Sequence, residues 1–131
     1  MARNSKSKKN KAIVNAWKNY MIDESLEENW QRFLHDLGLG DFKSKSQCKK
    51  ALRSKWINIH DFLAAVEERD KAVKLIVDEA LREEEFMRPV NVTFFKSERA
   101  LAQYTLTTQK IFPRSKIAKE SPLKLLLANI L

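Results

Sequence analysis

Apolar side chains recur every three or four residues along most of the chain, which is the spacing that lines one face of an α-helix. The first such run predicts a helix from about Lys11 to Met21. Ser25 and Glu28 form a capping box, in which each side chain bonds a backbone N–H of the first turn, and Gly38 ends the helix that they open. The core-facing residues of this second helix are Leu26, Trp30, Phe33, Leu34 and Leu37.

A short basic helix is predicted next. Ser46 is expected to cap it, and it continues to about Lys55. Cys48 and Leu52 are four residues apart and therefore face inward together, with Ala51 beside them. The outward positions of this helix are Lys45, Lys49 and Arg53.

The longest uninterrupted helical pattern lies in the centre of the chain. Asn58 or His60 starts it, and its apolar positions continue to about Glu85. Because neither Gly nor Pro occurs between Asn58 and Pro89, we predict one long acidic helix, bent near Asp70. Its apolar positions are Phe62, Val66, Val73, Ile76, Val77, Ala80 and Leu81.

The remaining segments are shorter. Residues 90–95 resemble a strand but have no second strand to pair with. Ser97 caps a further helix, residues 111–113 form an extended corner followed by a helical turn, and Ser121 with Pro122 starts a C-terminal helix. The helix that Ser97 opens carries Leu101, Tyr104 and Leu106, and the C-terminal helix presents Leu123, Leu126, Leu127 and Ile130 to the core.

Composition supports a helical fold. The chain has only 2 Gly and 3 Pro, which all-β folds need for tight turns, while 44% of its residues are hydrophobic. We therefore predict an all-α class, a compact bundle of about six or seven helices with short loops, over residues 11–131. Residues 1–10 hold no apolar side chain after Ala2 and are expected to form a disordered basic arm.

Charge occurs in blocks that follow these segments. Residues 1–11 carry +5, residues 12–36 carry −3, residues 37–58 carry +5, residues 59–86 carry −5 and residues 87–131 carry +6. The folded part is thus expected to have basic and acidic faces.

A single cysteine, Cys48, allows no intrachain disulfide, which favours a reducing intracellular compartment. The chain has no apolar stretch long enough for a membrane span. The lysines near the N-terminus are typical of a nuclear import signal, so we expect a nuclear or nucleocytoplasmic protein. Mitochondrial targeting is a minor alternative, because no acid precedes Asp23.

Catalytic and metal-binding chemistry lacks a recognisable arrangement. Cys48 with His35 or His60 and Asp61 is the one candidate for a thiol nucleophile, its base and an orienting carboxylate. However, Cys48 falls on an apolar helix face, no known motif flanks it, and one Cys with two His matches no zinc spacing. We therefore expect a non-enzyme without metal, cofactor or small-molecule substrate.

Protein interaction is the leading functional hypothesis. The acidic helix has an apolar stripe flanked by charge, which could dock in a partner, pair with a second copy or simply complete the core. The predicted contact surfaces are the basic face around Lys49 and Arg53 and the acidic helix over residues 78–85. The predicted partner-binding residues are Val73, Ile76, Val77, Ala80 and Leu81.

Nucleic-acid binding is the alternative hypothesis. The second and third helices could form a helix-turn-helix, whose lysines would contact phosphates while an aromatic ring stacks on an unpaired base. The basic arm would add affinity without sequence preference. The candidate residues are Lys6, Lys8, Lys9, Lys45, Lys49, Lys50, Arg53, Lys55 and Trp56.

Several motifs from residue 30 onward resemble small uncharacterised proteins of filamentous fungi. They include Cys48-Lys49-Lys50, the Ile-Asn-Ile-His-Asp-Phe segment at 57–62, the Phe-Lys-Ser segment at 95–97, Tyr104-Thr105 and the Lys-Ile-Phe-Pro segment at 110–113. The resemblance is interrupted by an insertion at about residues 70–88, a segment that those proteins lack. It implies a compact intracellular domain and assigns no catalytic residue. Lys110 and Thr108, polar groups beside the corner, are expected mainly to stabilise that turn.

Overall fold

The computed structural model describes the backbone of residues 2–53 and 55–126, and the side chains of residues 8–53 and 55–126. This part of the chain contains seven α-helices and no strand, which confirms the all-α class. The helices are α1 (Ala2–Met21), α2 (Glu27–Asp36), α3 (Lys45–Leu52), α4 (Ile59–Lys74), α5 (Glu79–Phe86), α6 (Glu98–Thr108) and α7 (Leu123–Leu126), with a 3₁₀ turn at Arg114–Lys116.

The start of α1 differs from its prediction. The helix was expected to begin at about Lys11, but the backbone is already helical from Ala2. Lys, Ala and Arg are favourable helix formers, and no Gly or Pro separates the basic residues from the amphipathic part. Lys8 and Lys9 are exposed on this helix. Whether the arm is disordered in solution stays a prediction.

The capping box predicted for α2 is wrong. Its N-cap is Leu26, an exposed residue whose side chain has no group that could bond the free N–H groups of the first turn. Ser25 instead donates its hydroxyl and its backbone N–H to Asp23, at 2.6 and 2.9 Å, so the hydroxyl is occupied in the preceding turn. The predicted stop is confirmed: Gly38 has φ +78°, and the N–H groups that follow bond back to the last helical carbonyls.

The cap of α3 is Ser44, two residues before the predicted Ser46. Ser44 Oγ accepts the backbone N–H of Gln47 at 3.2 Å, while Gln47 Oε1 accepts the N–H of Lys43 at 2.9 Å. This reciprocal pair satisfies two backbone donors at once, which explains why the helix starts here. Cys48 and Leu52 face the core, as predicted.

The long acidic helix is two helices. Asn58, one of the two predicted starting residues, caps α4. This helix ends at Lys74 and does not continue to Glu85. Asp78 then caps α5 by accepting the N–H of Leu81 at 3.0 Å, and Arg82 donates to the carbonyl of Ile76 at 2.7 and 2.9 Å. These side chains satisfy backbone groups at the interruption, so no Gly or Pro is needed to break the helix.

The C-terminal half follows its predicted caps. Ser97 accepts the N–H of Ala100 to open α6, and Ser121 accepts the N–H of Leu123 at the start of α7. The strand-like run contributes only one antiparallel bridge, between Phe95 and Trp56. Leu127 and Ile130, predicted core positions, lie outside the described residues.

Aromatic rings from α1, α2 and α4 form the centre of the core. Phe33 meets Trp17 and Phe62 edge-to-face, with ring centroids 5.3 and 5.1 Å apart. Tyr20 packs edge-on against Phe62 at 5.2 Å. α3 packs on α2 and α7, whereas α5 packs on α4 at the outside of this core.

The two serines near the start of α3 provide a direct test of its cap. Ser44→Ala should lower the free energy of unfolding by about 1 kcal/mol, because the N–H of Gln47 loses its acceptor. Ser46→Ala, an exposed position within the first turn, should change it by less than about 0.5 kcal/mol. Urea unfolding followed by tryptophan fluorescence measures both; equal losses would contradict the assignment.

Candidate functional site

Helix α5 is the most exposed α-helix of the described structure. None of its residues is buried. Leu75 and Val77 in the turn before it are 84% and 91% exposed, and Leu81 within it is 57% exposed. We call these three residues the corner patch. Acidic side chains surround it on α5, where Glu79, Glu83 and Glu84 are exposed and Glu85 is half-buried.

The five predicted partner-binding residues do not form one stripe. Val73 is buried on α4, and Ile76 is half-buried in the turn. Val77, Ala80 and Leu81 are exposed. The helix break separates these positions, because residues spaced for a single helix are redirected where the backbone leaves the helix at Leu75.

A groove of about 520 Å³ lies beside α5, between the end of α1 and helices α2 and α4. Its apolar rim consists of Phe86 and Met87 from the end of α5 and Ile22 from the end of α1, all three exposed. Ile22 has φ +66°, a strained conformation for a β-branched residue. The polar lining consists of Asn19, Tyr20, Gln31, Arg32, His35, Asp36, Asp41, Arg69 and Asp70.

Asp36 is the hydrogen-bond centre of the groove floor. Its carboxylate is almost fully buried and accepts from Tyr20 Oη at 2.5 Å and from Arg69 Nη1 at 2.8 Å. Its backbone carbonyl accepts the N–H of Val90 at 2.8 Å. A buried carboxylate requires such partners, so this cluster ties α1, α2, α4 and the segment after α5 together.

The cluster shifts the protonation equilibria of its members. Burial raises the pKa of Tyr20 well above its ordinary value, and the neighbouring Asp36 charge raises it further. Burial alone would lower the pKa of Arg69, but the hydrogen bond and charge of Asp36 outweigh it and the pKa is raised. Tyr20 therefore acts as a neutral donor and Arg69 as a permanent cation.

Arg32 completes the floor without a carboxylate partner among the described residues. It donates to the backbone carbonyl of Tyr20, and its guanidinium lies over the Tyr20 ring, 4.8 Å from the centroid. Its Nε is buried without a hydrogen-bond partner among the described residues.

His35 connects the groove to the end of α5. Its Nδ1 lies 2.8 Å from Asp41 Oδ1 and its Nε2 lies 2.6 Å from the carbonyl oxygen of Met87. The hydrogen bond to Met87 raises the pKa of His35, and the hydrogen bond to Asp41 raises it further. With His35 protonated, three cations and three carboxylates line the groove. Their charges cancel, so the groove does not favour a ligand of either charge.

The sequence candidates for catalysis do not form a site. Cys48 is fully buried, and burial raises the pKa of its thiol. Among the described residues no hydrogen bond joins Cys48 to a histidine, and His60 contacts the carbonyl of Ile111 at 2.9 Å. Asp61 accepts from Lys110 and Tyr104 at 2.7 and 2.6 Å. In the described part of the chain, no three His, Cys, Asp or Glu side chains are placed to hold a metal ion.

Lys110 and Thr108 contribute to the turn after α6. Lys110 Nζ bridges Asp61 and the Tyr104 hydroxyl, at 2.7 and 2.8 Å, and Thr108 donates to the Tyr104 carbonyl at 2.7 Å. The hydrogen bonds to Asp61 and Tyr104 raise the pKa of Lys110. These contacts support the expected turn-stabilising role.

The basic residues of α3 are partly engaged with the protein. Lys45 and Lys49 lie over the Trp30 ring, 5.2 and 5.9 Å from its centroid, and Lys49 also lies 3.9 Å from Glu120. Lys50 and Arg53 are exposed, whereas Lys55 is half-buried. Trp56 is half-buried and paired through its backbone with Phe95, so its ring is only partly available for stacking. The side chain of Lys6 lies outside the described residues.

Sequence reasoning missed the Asp36 cluster and the exposed end of α5. Asp36 is the last residue of α2, a position where a polar side chain is usually exposed. Nothing in its spacing from the apolar residues indicates that it is buried. Its partners, Tyr20 and Arg69, are 16 and 33 residues away, so only the packing of three helices reveals the contact.

Comparisons with known proteins provide no relative: no family model, no curated protein and no solved structure matches the chain. The resemblance to fungal proteins stays a prediction. Among the described residues, no helix has the length and apolar character that crossing a bilayer requires.

Two tyrosine–aspartate pairs allow the Asp36 cluster to be tested. Tyr20→Phe should lower the free energy of unfolding by about 1–3 kcal/mol, because a buried carboxylate loses a donor. Tyr104→Phe removes a similar hydroxyl from Asp61, which is more exposed and keeps Lys110, so the loss should be smaller. Urea unfolding of both variants measures the difference; a larger effect at Tyr104 would contradict the central role of Asp36.

Proposed function

We propose that the protein is a non-enzymatic intracellular protein-interaction domain. Its principal contact surface is α5 with the corner patch, and the basic face of α3 is a second contact surface. The observation that carries the proposal is that α5 buries none of its own residues. Large apolar side chains are nevertheless concentrated there, and burying such surface in a complex is favourable.

The charge around the corner patch indicates the chemistry of the partner. Leu75, Val77 and Leu81 are bordered by the exposed glutamates of α5. A complementary surface would present apolar side chains flanked by Lys or Arg, as an amphipathic basic helix does. A second copy of the chain also offers basic helices, α3 and α1, to this acidic surface.

Apolar-to-charged substitutions in the corner patch test this function. Val77→Glu with Leu81→Glu should abolish capture of a partner from native extract, or self-association measured by sedimentation equilibrium, because a carboxylate cannot be buried unpaired. The fold should survive, since both side chains are exposed. Near-ultraviolet circular dichroism verifies this.

A matched control is available on another helix. Leu106 on α6 is 53% exposed, close to the value for Leu81, and lies outside the proposed surface. Leu106→Glu should leave capture and self-association unchanged. If both variants lose the same partners, or if neither loses any, the corner patch is not the contact surface.

The alternative proposal is a small nucleic-acid-binding protein that uses the basic arm and α3. It is supported by the overall charge of +8 and by the exposed Lys50 and Arg53 on a helix that packs against α2. Such binding should weaken steeply as salt concentration rises, because phosphate contacts release counterions.

Charge reversal on α3 separates this alternative from the leading proposal. Lys49→Glu with Arg53→Glu should weaken binding to a mixed-sequence duplex or single strand and reduce its salt dependence, measured by fluorescence anisotropy. The corner-patch variant should bind nucleic acid like the wild type. Absent or salt-insensitive binding by the wild-type chain would eliminate the alternative.

A further inference from the structure

The two nitrogens of the His35 ring both face hydrogen-bond acceptors. Nδ1 lies 2.8 Å from the Asp41 carboxylate and Nε2 lies 2.6 Å from the Met87 carbonyl. A neutral imidazole has only one N–H and presents a lone pair at its other nitrogen. Only the protonated ring can donate to both acceptors at once, so this geometry is that of an imidazolium.

The Met87 carbonyl belongs to the C-terminal end of α5, where Met87 is the C-cap. Carbonyls at this end of a helix carry partial negative charge and interact favourably with a cation. A charged His35 therefore stabilises the end of α5 in two ways, as a hydrogen-bond donor and as a positive charge beside the helix terminus.

Besides the packing of α5 on α4, contacts of Arg69 and of the chain after α5 hold this end of the helix on the body. Arg69 donates to the Arg88 carbonyl at 3.2 Å, and its guanidinium lies 5.0 Å from the centroid of the Phe86 ring. The Val90 N–H bonds the Asp36 carbonyl four residues after the helix ends. Since α5 packs on α4 without a buried side chain, the loss of one of these contacts is expected to loosen this end of the helix.

We propose that His35 is a pH-dependent latch, which holds the end of α5 against α2 when its ring is protonated and loosens it when the ring is neutral. The latch would regulate presentation of the α5 surface, and in that respect it rests on the proposed function. The latch itself is a property of the isolated chain.

The groups around His35 make it the titrating member of this region. Asp and Arg side chains ordinarily titrate outside the interval from about pH 5 to about pH 9, whereas His ordinarily titrates within it. From α1 the neutral Tyr20 lines the same groove, and the end of α5 contributes the Met87 carbonyl. The charged groups that line the groove with His35 are Arg32 and Asp36 on α2, Asp41 in the following loop, and Arg69 and Asp70 on α4.

The direction of the effect follows from linkage. The contacts of His35 raise its pKa in the folded protein. They therefore stabilise the folded state most at pH values where the ring is protonated in both the folded and the unfolded protein. This contribution is fully present below the unfolded pKa of about 6.5 and is lost as pH rises through the folded pKa. Alkaline conditions should therefore loosen α5.

Nuclear magnetic resonance of the full chain tests the latch residue by residue. In a titration from about pH 5 to about pH 9, the His35 ring, the Met87 carbonyl carbon and the Cα shifts of α5 should share one midpoint. Above it the α5 shifts should move toward coil values. The latch is overturned if Met87 and α5 do not change while His35 titrates.

Three variants complete the test. His35→Gln should remove the transition of α5, whereas His60→Gln should preserve it, because His60 bonds the Ile111 carbonyl instead. Asp41→Asn, at an exposed side chain, should move the His35 midpoint to lower pH by removing a charge-assisted acceptor. A transition that persists in His35→Gln, or a midpoint unchanged in Asp41→Asn, would contradict the proposal.

These measurements need no partner, so their outcome is independent of the partner-capture experiment with the corner-patch variants. A coincident titration of His35, Met87 and α5 supports the latch even if those variants lose no partner. Conversely, an α5 that does not respond to pH overturns the latch and leaves the proposed interaction surface to its own test.

Discussion

The fold depends on one buried carboxylate and its partners. Asp36 is the last residue of α2, and its carboxylate accepts hydrogen bonds from Tyr20 on α1 and Arg69 on α4. Its backbone carbonyl accepts the N–H of Val90, in the segment that follows α5. Because an unpaired charge in this position would be costly, the four segments must be in register with one another. The apolar core beneath supplies most of the burial, but apolar packing is less directional, and we infer that Asp36 specifies which faces meet.

The sequence predicts those features of the fold that depend on neighbouring residues. The caps at Asn58, Ser97 and Ser121 and the stop at Gly38 are each satisfied within a few residues, and each prediction is confirmed. The wrongly predicted caps also depend on neighbouring residues, which compete for the same hydrogen bonds. Ser25 and Ser46 are plausible caps, but Asp23 occupies the first and the Ser44–Gln47 pair precedes the second.

The break between α4 and α5 shows what a periodic pattern leaves undetermined. Apolar residues at helical spacing continue through it, and a rule based on Gly and Pro finds no interruption. Capping by Asp78 and the bonds from Arg82 to the Ile76 carbonyl nevertheless replace the helical hydrogen bonds there. The candidate site arises from this break, because the turn places Leu75 and Val77 in solvent instead of in the core.

A helix without a buried side chain depends more on polar contacts, and polar contacts respond to solution conditions in a way that apolar packing does not. The body of the protein is fixed by rings and by permanently charged Arg69, whereas the end of α5 relies in part on a histidine. The surface with the most exposed apolar groups is therefore also the one whose attachment can change near neutral pH. This coincidence is the reason that we connect the latch to the interaction surface: a contact that serves stability alone would gain more from a group that keeps its charge.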